Sequence, residues 1–429
     1  MKYDFINIIE DQREILEDVD SSEISRHLTI SAMTKKVIVI TGIRRSGKST
    51  LLRNFCRKEI NSTLYVSFFD ERLVGITARE LNGLLEAYAQ ITNGLLPRII
   101  ILDEIQVVDG WEKFIARLLE RPKWSIYITG SSAKLLSKEI ASEMRGRSLR
   151  YELFPFSFKE TLIFKKIDFS KLTTAKKGQL KKQFIDYLMW GGFPEIVNQP
   201  LSNRTKILNE YIEVLLFRDI IERNQFERTS IARRLFVTLI KMYGNLFSIN
   251  QTHRKLKAEG LSLDKNTLSE FIRWCEDAYV LFAIPLFSPS EHISRINPQK
   301  LYLCDLGIAQ ACETWNDQNL GRRFENLVFL KLRSSEKFKS INYYLTAKKH
   351  EVDFLFVDIN DSKLLIQACW ELTEVSSERE LRAIDEAMQE LNLNLAYIIT
   401  INQSETIATQ NGKIKILSIY DFFINDKLV

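Results

Sequence analysis

Near the amino end, GIRRSGKS (42–49) sets two glycines, a lysine and a hydroxyl at the spacing G-x-x-x-x-G-K-[ST]. Residue types at that spacing grip phosphate. Gly42 and Gly47 let the main chain wrap closely around anionic oxygens. The loop amides of Ile43, Arg44, Arg45 and Ser46, and the helix start running on through Thr50, then face the negative charge. Lys48 reaches the β and γ phosphates of a nucleotide, and the Ser49 hydroxyl is placed to ligate Mg2+. A chance match in a glycine-bearing turn would lack the right flanks. Here the apolar stretch VIVIT (37–41) precedes the loop and STLLRNFC follows it, so strand and helix are both present.

A second pair of residues supports the first. IIILDE (99–104) is an apolar run ending in two acids. Asp103, at the carboxyl end of a strand, is expected to hold the magnesium directly or through water, and Glu104 to orient and activate an attacking water. An acidic strand end without a role is the better account of such a segment alone, but the phosphate loop upstream reverses that. The adjacent glutamate implies hydrolysis rather than transfer to a small molecule. In SIYITGSS (125–132), Thr129 or Ser131 is expected to touch the γ-phosphate or the water; an N-cap by Ser131 or Ser132 explains that segment equally well. In MRGRSLRYEL, Arg147 is preferred over Arg145 as an arginine finger reaching a neighbouring copy, which would imply a homo-oligomer. A solvated or salt-bridged arginine is the plainer account.

These residues need a scaffold. Short apolar strands at 37–41, 63–69, 98–104, 125–130 and 148–153 alternate with helices near 48–59, 77–92, from 111 and at 132–143. That alternation predicts an α/β fold with a parallel sheet covered on both faces. The strand at 63–69, inserted between the two motifs, places the chain with P-loop ATPases of that topology. Residues 157–225 read as helical, broken by WGGFPE at 190–195. The stretch 229–287 reads as a winged helix, closed by a strand pair in YVLFAIPLF, and the proline-bearing 288–300 as a boundary. A helix near 320–333, strands at 341–346, 351–358 and 363–370, a helix at 378–391 and a strand at 395–401 follow.

Composition narrows the class. At 429 residues the chain predicts two to four domains of roughly 100–200 residues each. It is 45% hydrophobic and 27% charged, as soluble globular proteins are. No apolar run of ~18 residues predicts a membrane span, and the acidic amphipathic start does not read as a secretory signal. Five cysteines without a CxxC pair suggest neither zinc nor a disulfide framework, so a reducing cytoplasm is expected. The net charge is +5, with the basic excess lying between 151 and 275. That permits contact with a polyanion, although a solvated basic face accounts for it as well.

The blocks GIRRSGKS, ILDEIQ, TGSSAKLLS, RGR…LFPFSF, WGGFPE, GRRFENLVF and EVDF, in that order, resemble the bacterial and archaeal AAA-type "ATP-binding proteins". Those join an ATPase core to a winged helix and a restriction-endonuclease-like C-terminal domain of unknown function. The resemblance implies a P-loop core at 1–155, a helical lid at 156–228, a winged helix at 229–290 and an endonuclease-like domain at 291–429. It also implies ATP binding and hydrolysis, and action on nucleic acid; with the phosphate loop, Mg2+ is the expected cofactor and DNA the expected partner.

In active nucleases of that fold, a helix Glu, a strand Asp and an acid-x-Lys gather Mg2+. Here Glu325 and Asp353 stand at the first two places, with Glu351 on the face of Asp353, but Gln367 and Cys369 replace the acid and the lysine. Gln367 removes a negative charge from a hard-cation site, and Cys369 offers no ammonium. Lys363 lies too far along its strand, and Lys348 and Lys349 have no geometric claim. The acids therefore read as a decayed site, a polar surface for DNA or a protein. The helix of this stretch that corresponds to a groove-inserting one, DKNTLSEFIRWCEDAYV, is acidic at its start and end, whereas THRKLKAEG before it is more basic. The expectation is a nucleotide-driven ATPase switch acting on DNA, with an ATP-gated nuclease and a protein-directed regulator or adaptor as the alternatives.

Overall fold

The computed structural model describes residues 3–17, 24, 26, 28, 30, 35–121, 123–133, 144, 146–170, 173–261, 263–312, 319–335 and 337–428. They divide into two compact units: residues 1–155 with 277–279, and residues 156–276 with 280–429.

The first unit is built on five parallel strands, β1 (Val37–Thr41), β2 (Thr63–Ser67), β3 (Ile99–Asp103), β4 (Ser125–Gly130) and β5 (Ser148–Glu152). Their order across the sheet is β2-β3-β4-β1-β5. VIVIT and IIILD are apolar throughout because both faces are covered. Successive side chains point to opposite faces. Val37, Val39, Ile100 and Leu102 pack with the helices Phe5–Glu17 and Trp111–Leu119, while Ile38, Ile40, Ile99 and Ile101 pack with Leu52 and Cys56 of the helix Lys48–Cys56. Each such buried side chain contributes about 1.5–3 kcal/mol. The result is a rigid base from which the loops at the carboxyl ends of β1, β3 and β4 project.

The parallel α/β sheet is therefore as expected, with two local differences. The helix read at 77–92 begins only at Asn82, because Thr77 bridges to Asp109 and the Glu80 carboxylate takes the Thr77 N–H in a turn. β2 stops at Ser67, because Asp70 accepts the Arg72 N–H and starts a short 3-10 turn. Most of the expected 132–143 helix, and Arg145, lie outside the described residues.

The second unit begins with helices at Phe158–Phe164, Thr174–Trp190 and Leu201–Val214. Three more, Thr229–Lys241, Ile249–Ala258 and Lys265–Asp277, accompany a small antiparallel sheet of β6 (Leu246–Phe247), β7 (Leu281–Ile284) and β8 (Gln299–Leu303) in the order β6-β8-β7. YVLFAIPLF thus supplies one strand, not two; its partner β8 lies at the end of the stretch read as a boundary. After the helix Leu320–Arg333 comes a six-stranded mixed sheet. It contains β9 (Phe338–Leu345), β10 (Glu351–Asp358), β11 (Lys363–Ala368), β12 (Leu395–Thr400), β13 (Glu405–Ala408) and β14 (Lys413–Ser418), with the helix Glu374–Leu391 crossing from β11 to the parallel β12. Helix, three strands, helix, strand is the order expected from the sequence. An irregularity in the pairing of β10 with β9 falls between Val352 and Leu355, around Asp353.

WGGFPE ends the helix Thr174–Trp190. Gly191 sits at φ 73, ψ −162, a conformation open to glycine. The buried Asp305 carboxylate accepts the Gly192 N–H at 2.7 Å through one oxygen and the Gly307 N–H at 2.7 Å through the other. Burial raises the Asp305 carboxyl to about 7 against these two bonds. A folded pKa above the unfolded one means that the stability linked to its proton is whole below about pH 4 and is lost as pH rises through about 7. Unfolding free energy should accordingly fall by up to about 4 kcal/mol between those values, a slope that Asp305→Asn should remove. Urea unfolding of both proteins across that range measures it.

Candidate nucleotide-binding site

The loop 42–49 joins β1 to the helix Lys48–Cys56. Gly42 stands at φ 150, and a Cβ there would lie 2.1 Å from the Leu153 carbonyl oxygen, so the close approach of chain to chain requires glycine. Gly47, at φ 96, caps the helix from the left-handed region, and Arg45 shares that region at φ 69. Arg26 braces the loop from behind, donating to Ser46 O at 2.9 Å and Phe154 O at 2.6 Å. Sequence reasoning missed Arg26, which stands sixteen residues ahead of the loop in a stretch without a motif.

The lysine and both acids converge. Lys48, 4% exposed, donates from Nζ to Gly42 O and Ile43 O, each at 3.1 Å, and lies 3.8 Å from Glu104 Oε1. Asp103 is 3% exposed and held by hydroxyls: Thr129 donates to Oδ1, Tyr65 to Oδ2 at 3.0 Å, and Ser49 to the same carboxylate. Burial keeps its pKa above the ordinary value despite these bonds. Glu104 has a left-handed backbone, φ 58, which turns its side chain back over the strand end. Its Oε2 accepts from Gln106 Nε2 at 2.5 Å and from the Ser131 N–H at 3.3 Å. Burial would raise Glu104, but the Lys48 ammonium, the Gln106 amide and the Arg44 charge outweigh it and hold the carboxyl below its ordinary value. Glu104 is therefore an ionised acceptor beside the loop. Among the described residues, Ser46 Oγ and Gln106 Oε1 are buried here without a hydrogen-bond partner.

Three expectations need qualification. Thr129 gives its only proton to Asp103, and its oxygen takes the Glu104 N–H at 2.9 Å. It locks the two acids together and has no proton left for a phosphate. The Arg44 side chain extends over the exposed Phe69 ring, 5.1 Å from its centroid, so the phosphate contact expected of this residue falls to its main-chain N–H. Arg147 donates to Leu119 O and precedes β5 at the amino-terminal edge of the sheet, where its carbonyl takes the Val37 N–H. The phosphate loop leaves the opposite edge, roughly 13 Å away at 3.3 Å per strand residue, so Arg147 does not join the loop of its own chain. Thr50, one turn into the helix, receives Arg53 Nη2 at 3.3 Å.

In the second unit, Glu325, Glu351 and Asp353 come together as the sequence suggested, with Gln367 beside them. Cys369 bonds instead to Glu371 O. Lys348 pairs with Glu386, and Lys363 lies over the Phe287 ring. The cation among the acids is Lys300, which sequence reasoning did not single out.

Residues 34–162 match a family described as AAA domain, and residues 181–319 a domain of unknown function (DUF8612). The uncharacterized protein MJ1544 of Methanocaldococcus jannaschii is 35% identical over 98% of this chain and 94% of its own. An uncharacterized protein of Haemophilus influenzae is 26% identical over 81% of this chain and 86% of its own. Among solved structures, Cdc6p of Pyrobaculum aerophilum overlaps 58% of this chain and 80% of its own, at 10% identity and a TM-score of 0.25, a superposition too loose to argue from. No helix among the described residues is long and apolar enough to cross a membrane.

Proposed function

We propose that this chain, which belongs to one family with MJ1544 and carries an AAA domain at 34–162, binds ATP at residues 42–50 and hydrolyses it to drive a conformational switch in its second unit. The observation that carries this reading is the meeting of Lys48, Ser49, Asp103 and Glu104 at the carboxyl ends of β1 and β3. The donor set suits Mg2+: the Ser49 hydroxyl and the Asp103 carboxylate are hard oxygens already in contact. When bound, the ion supplies charge neutralisation between the terminal phosphates.

The chain's own groups do the rest. Lys48 exchanges the Gly42 and Ile43 carbonyls for phosphate oxygens as the nucleotide enters. That draws its ammonium off Glu104 and frees the carboxylate to accept a proton from the attacking water. Gln106 and the Ser131 N–H keep the carboxylate aimed, and Thr129 keeps Asp103 and Glu104 in register. Transfer of the phosphoryl group to water then yields ADP and phosphate.

Lys48→Ala tests the binding step. A charged hydrogen bond is worth about 1.5–3 kcal/mol, so ATP affinity should drop by about tenfold to a hundredfold or more. Titration calorimetry with Mg2+ and ATP reads it, and an unchanged affinity removes the reading.

The helices 229–241, 249–258 and 265–277 with β6–β8 support a winged-helix reading of the second unit. Arg254, Lys255 and Lys257 on the middle helix support DNA as its partner. Salt-dependent binding of duplex DNA, stronger with ATP than with ADP, is the expected result. Its absence would leave a protein partner as the target.

A further inference from the structure

The carboxylates of the second unit are gathered around an ammonium. Lys300, on β8, is 3% exposed, and its Nζ lies 2.6 Å from Glu351 Oε1, 2.7 Å from Glu325 Oε1 and 2.9 Å from Asp353 Oδ1. An ammonium has three N–H bonds, and here each meets a different carboxylate. Tyr302, two residues along β8, donates its hydroxyl to Glu325. Asp353 Oδ2 accepts the Ala368 N–H at 3.0 Å.

The residues do not fit a divalent metal. A hard cation needs several oxygens with lone pairs free to converge on one point. Glu351 Oε1, Glu325 Oε1 and Asp353 Oδ1, the oxygens that converge here, already meet the Lys300 ammonium, and Glu325 Oε1 accepts from the Tyr302 hydroxyl as well. Gln367, at the position an active nuclease gives to an acid, turns its oxygen to the Asp353 N–H at 3.0 Å and its amide nitrogen to Glu380 Oε2 at 2.6 Å. A glutamate at 367 would lose the bond to Glu380 and set two carboxylates against each other, so glutamine is the residue this network requires. Among the described residues, no group of three His, Cys, Asp or Glu is placed to hold a metal ion.

We propose that Lys300 is a built-in cation standing where a metallonuclease holds its metal, so that this cluster binds no divalent ion, cuts no phosphodiester and instead clamps β8 to β10 and to the helix Leu320–Arg333. A lysine is suited to this: it neutralises part of the acidic charge, satisfies three partners from one atom and does not dissociate. The clamp joins the small sheet β6-β8-β7 to the six-stranded sheet through Glu351 and Asp353, 51 and 53 residues further along the chain. The inference rests on the second unit alone and does not depend on the ATPase reading.

Mn2+ titration of nucleotide-free full-length protein, followed by the electron paramagnetic resonance signal of free Mn2+, decides it. Wild type and Asp353→Asn should show the same number of bound ions, and neither should nick supercoiled plasmid in Mn2+, with or without ATP. Lys300→Met uncovers the carboxylates and should gain one bound ion that Lys300→Met with Asp353→Asn lacks. A wild-type site that Asp353→Asn removes, or cleavage by wild type that Lys300→Met abolishes, would overturn the proposal. So would a folded Lys300→Met that gains no ion. If Lys300→Met does not fold, the wild-type comparison with Asp353→Asn, or with Glu351→Gln, settles the question by itself.

Discussion

Glu104→Gln should lower ATP turnover by about 10²–10⁴-fold, the range over which a positioned general base acts, while ATP affinity stays within a few-fold of wild type. The substitution keeps the size and shape of the side chain. A glutamine at 104 still offers an oxygen to Gln106 Nε2, now 2.5 Å from the carboxylate, so the left-handed turn at φ 58 and the β3 end hold their form. What disappears is the negative charge that Lys48, Gln106 and Arg44 keep ionised against burial and that would take the proton of the attacking water. Binding depends on other groups: the loop amides, Lys48, and the Ser49–Asp103 pair. Removing the charge also relieves Lys48 of one partner, 3.8 Å away, which favours its release to phosphate. Affinity should rise if it moves at all. Phosphate release and ATP titration on the same preparation separate the two effects. Turnover within a factor of about ten of wild type would place the base elsewhere, since loss of a general base costs at least 10².

The meeting of Lys48, Ser49, Asp103 and Glu104 was legible because its information is local. GIRRSGKS fixes its own geometry within eight residues, and the apolar strand in IIILDE ends at Asp103 and Glu104, which puts both acids at the carboxyl edge of the sheet. Thr129 was found by the same logic, but its role was misjudged: the hydroxyl's partners, the Asp103 carboxylate and the Glu104 N–H, come from another strand, and no pattern on β4 announces them. Gln106 lay inside a quoted motif yet carried no visible chemistry until Glu104 was seen to turn back onto it. Lys300 marks the limit more sharply. The acid-x-Lys spacing points to Cys369 after β11, and the lysines nearest in sequence are Lys348, Lys349 and Lys363. The cation instead comes from β8, a strand of a different sheet, 25 residues before Glu325 and 53 before Asp353. Contacts of that range are made by packing, and a single sequence read for periodicity does not contain them.

The blocks that carry the family resemblance are held together in the same long-range manner, which is why Gly191→Ala is expected to destabilise the second unit by about 3–6 kcal/mol. The backbone at φ 73, ψ −162 is nearly closed to residues with a Cβ and costs about 1–3 kcal/mol when one is forced into it. Space costs more. A Cβ at Gly191 would stand 1.8 Å from Asp305 Oδ1 and 2.7 Å from the Gly307 nitrogen. Asp305 cannot move aside, because both of its oxygens are committed to the Gly192 and Gly307 N–H groups in a fully buried site. Displacing it breaks hydrogen bonds to a charged group worth about 1.5–3 kcal/mol each. Arg323, from GRRFEN, donates to the Leu188 and Met189 carbonyls just before it, so the helix end cannot shift without disturbing a buried cation as well. Gly178 in the same helix supplies the control. Nothing lies within 4 Å of a Cβ built there, and Gly178→Ala should stabilise by about 0.5–1 kcal/mol through helix propensity alone. Urea midpoints of the two variants should therefore move in opposite directions. If Gly191→Ala unfolds within about 1 kcal/mol of wild type, the contact between WGGFPE and Asp305 is looser than the geometry requires, and the interlocking of the family's blocks fails with it.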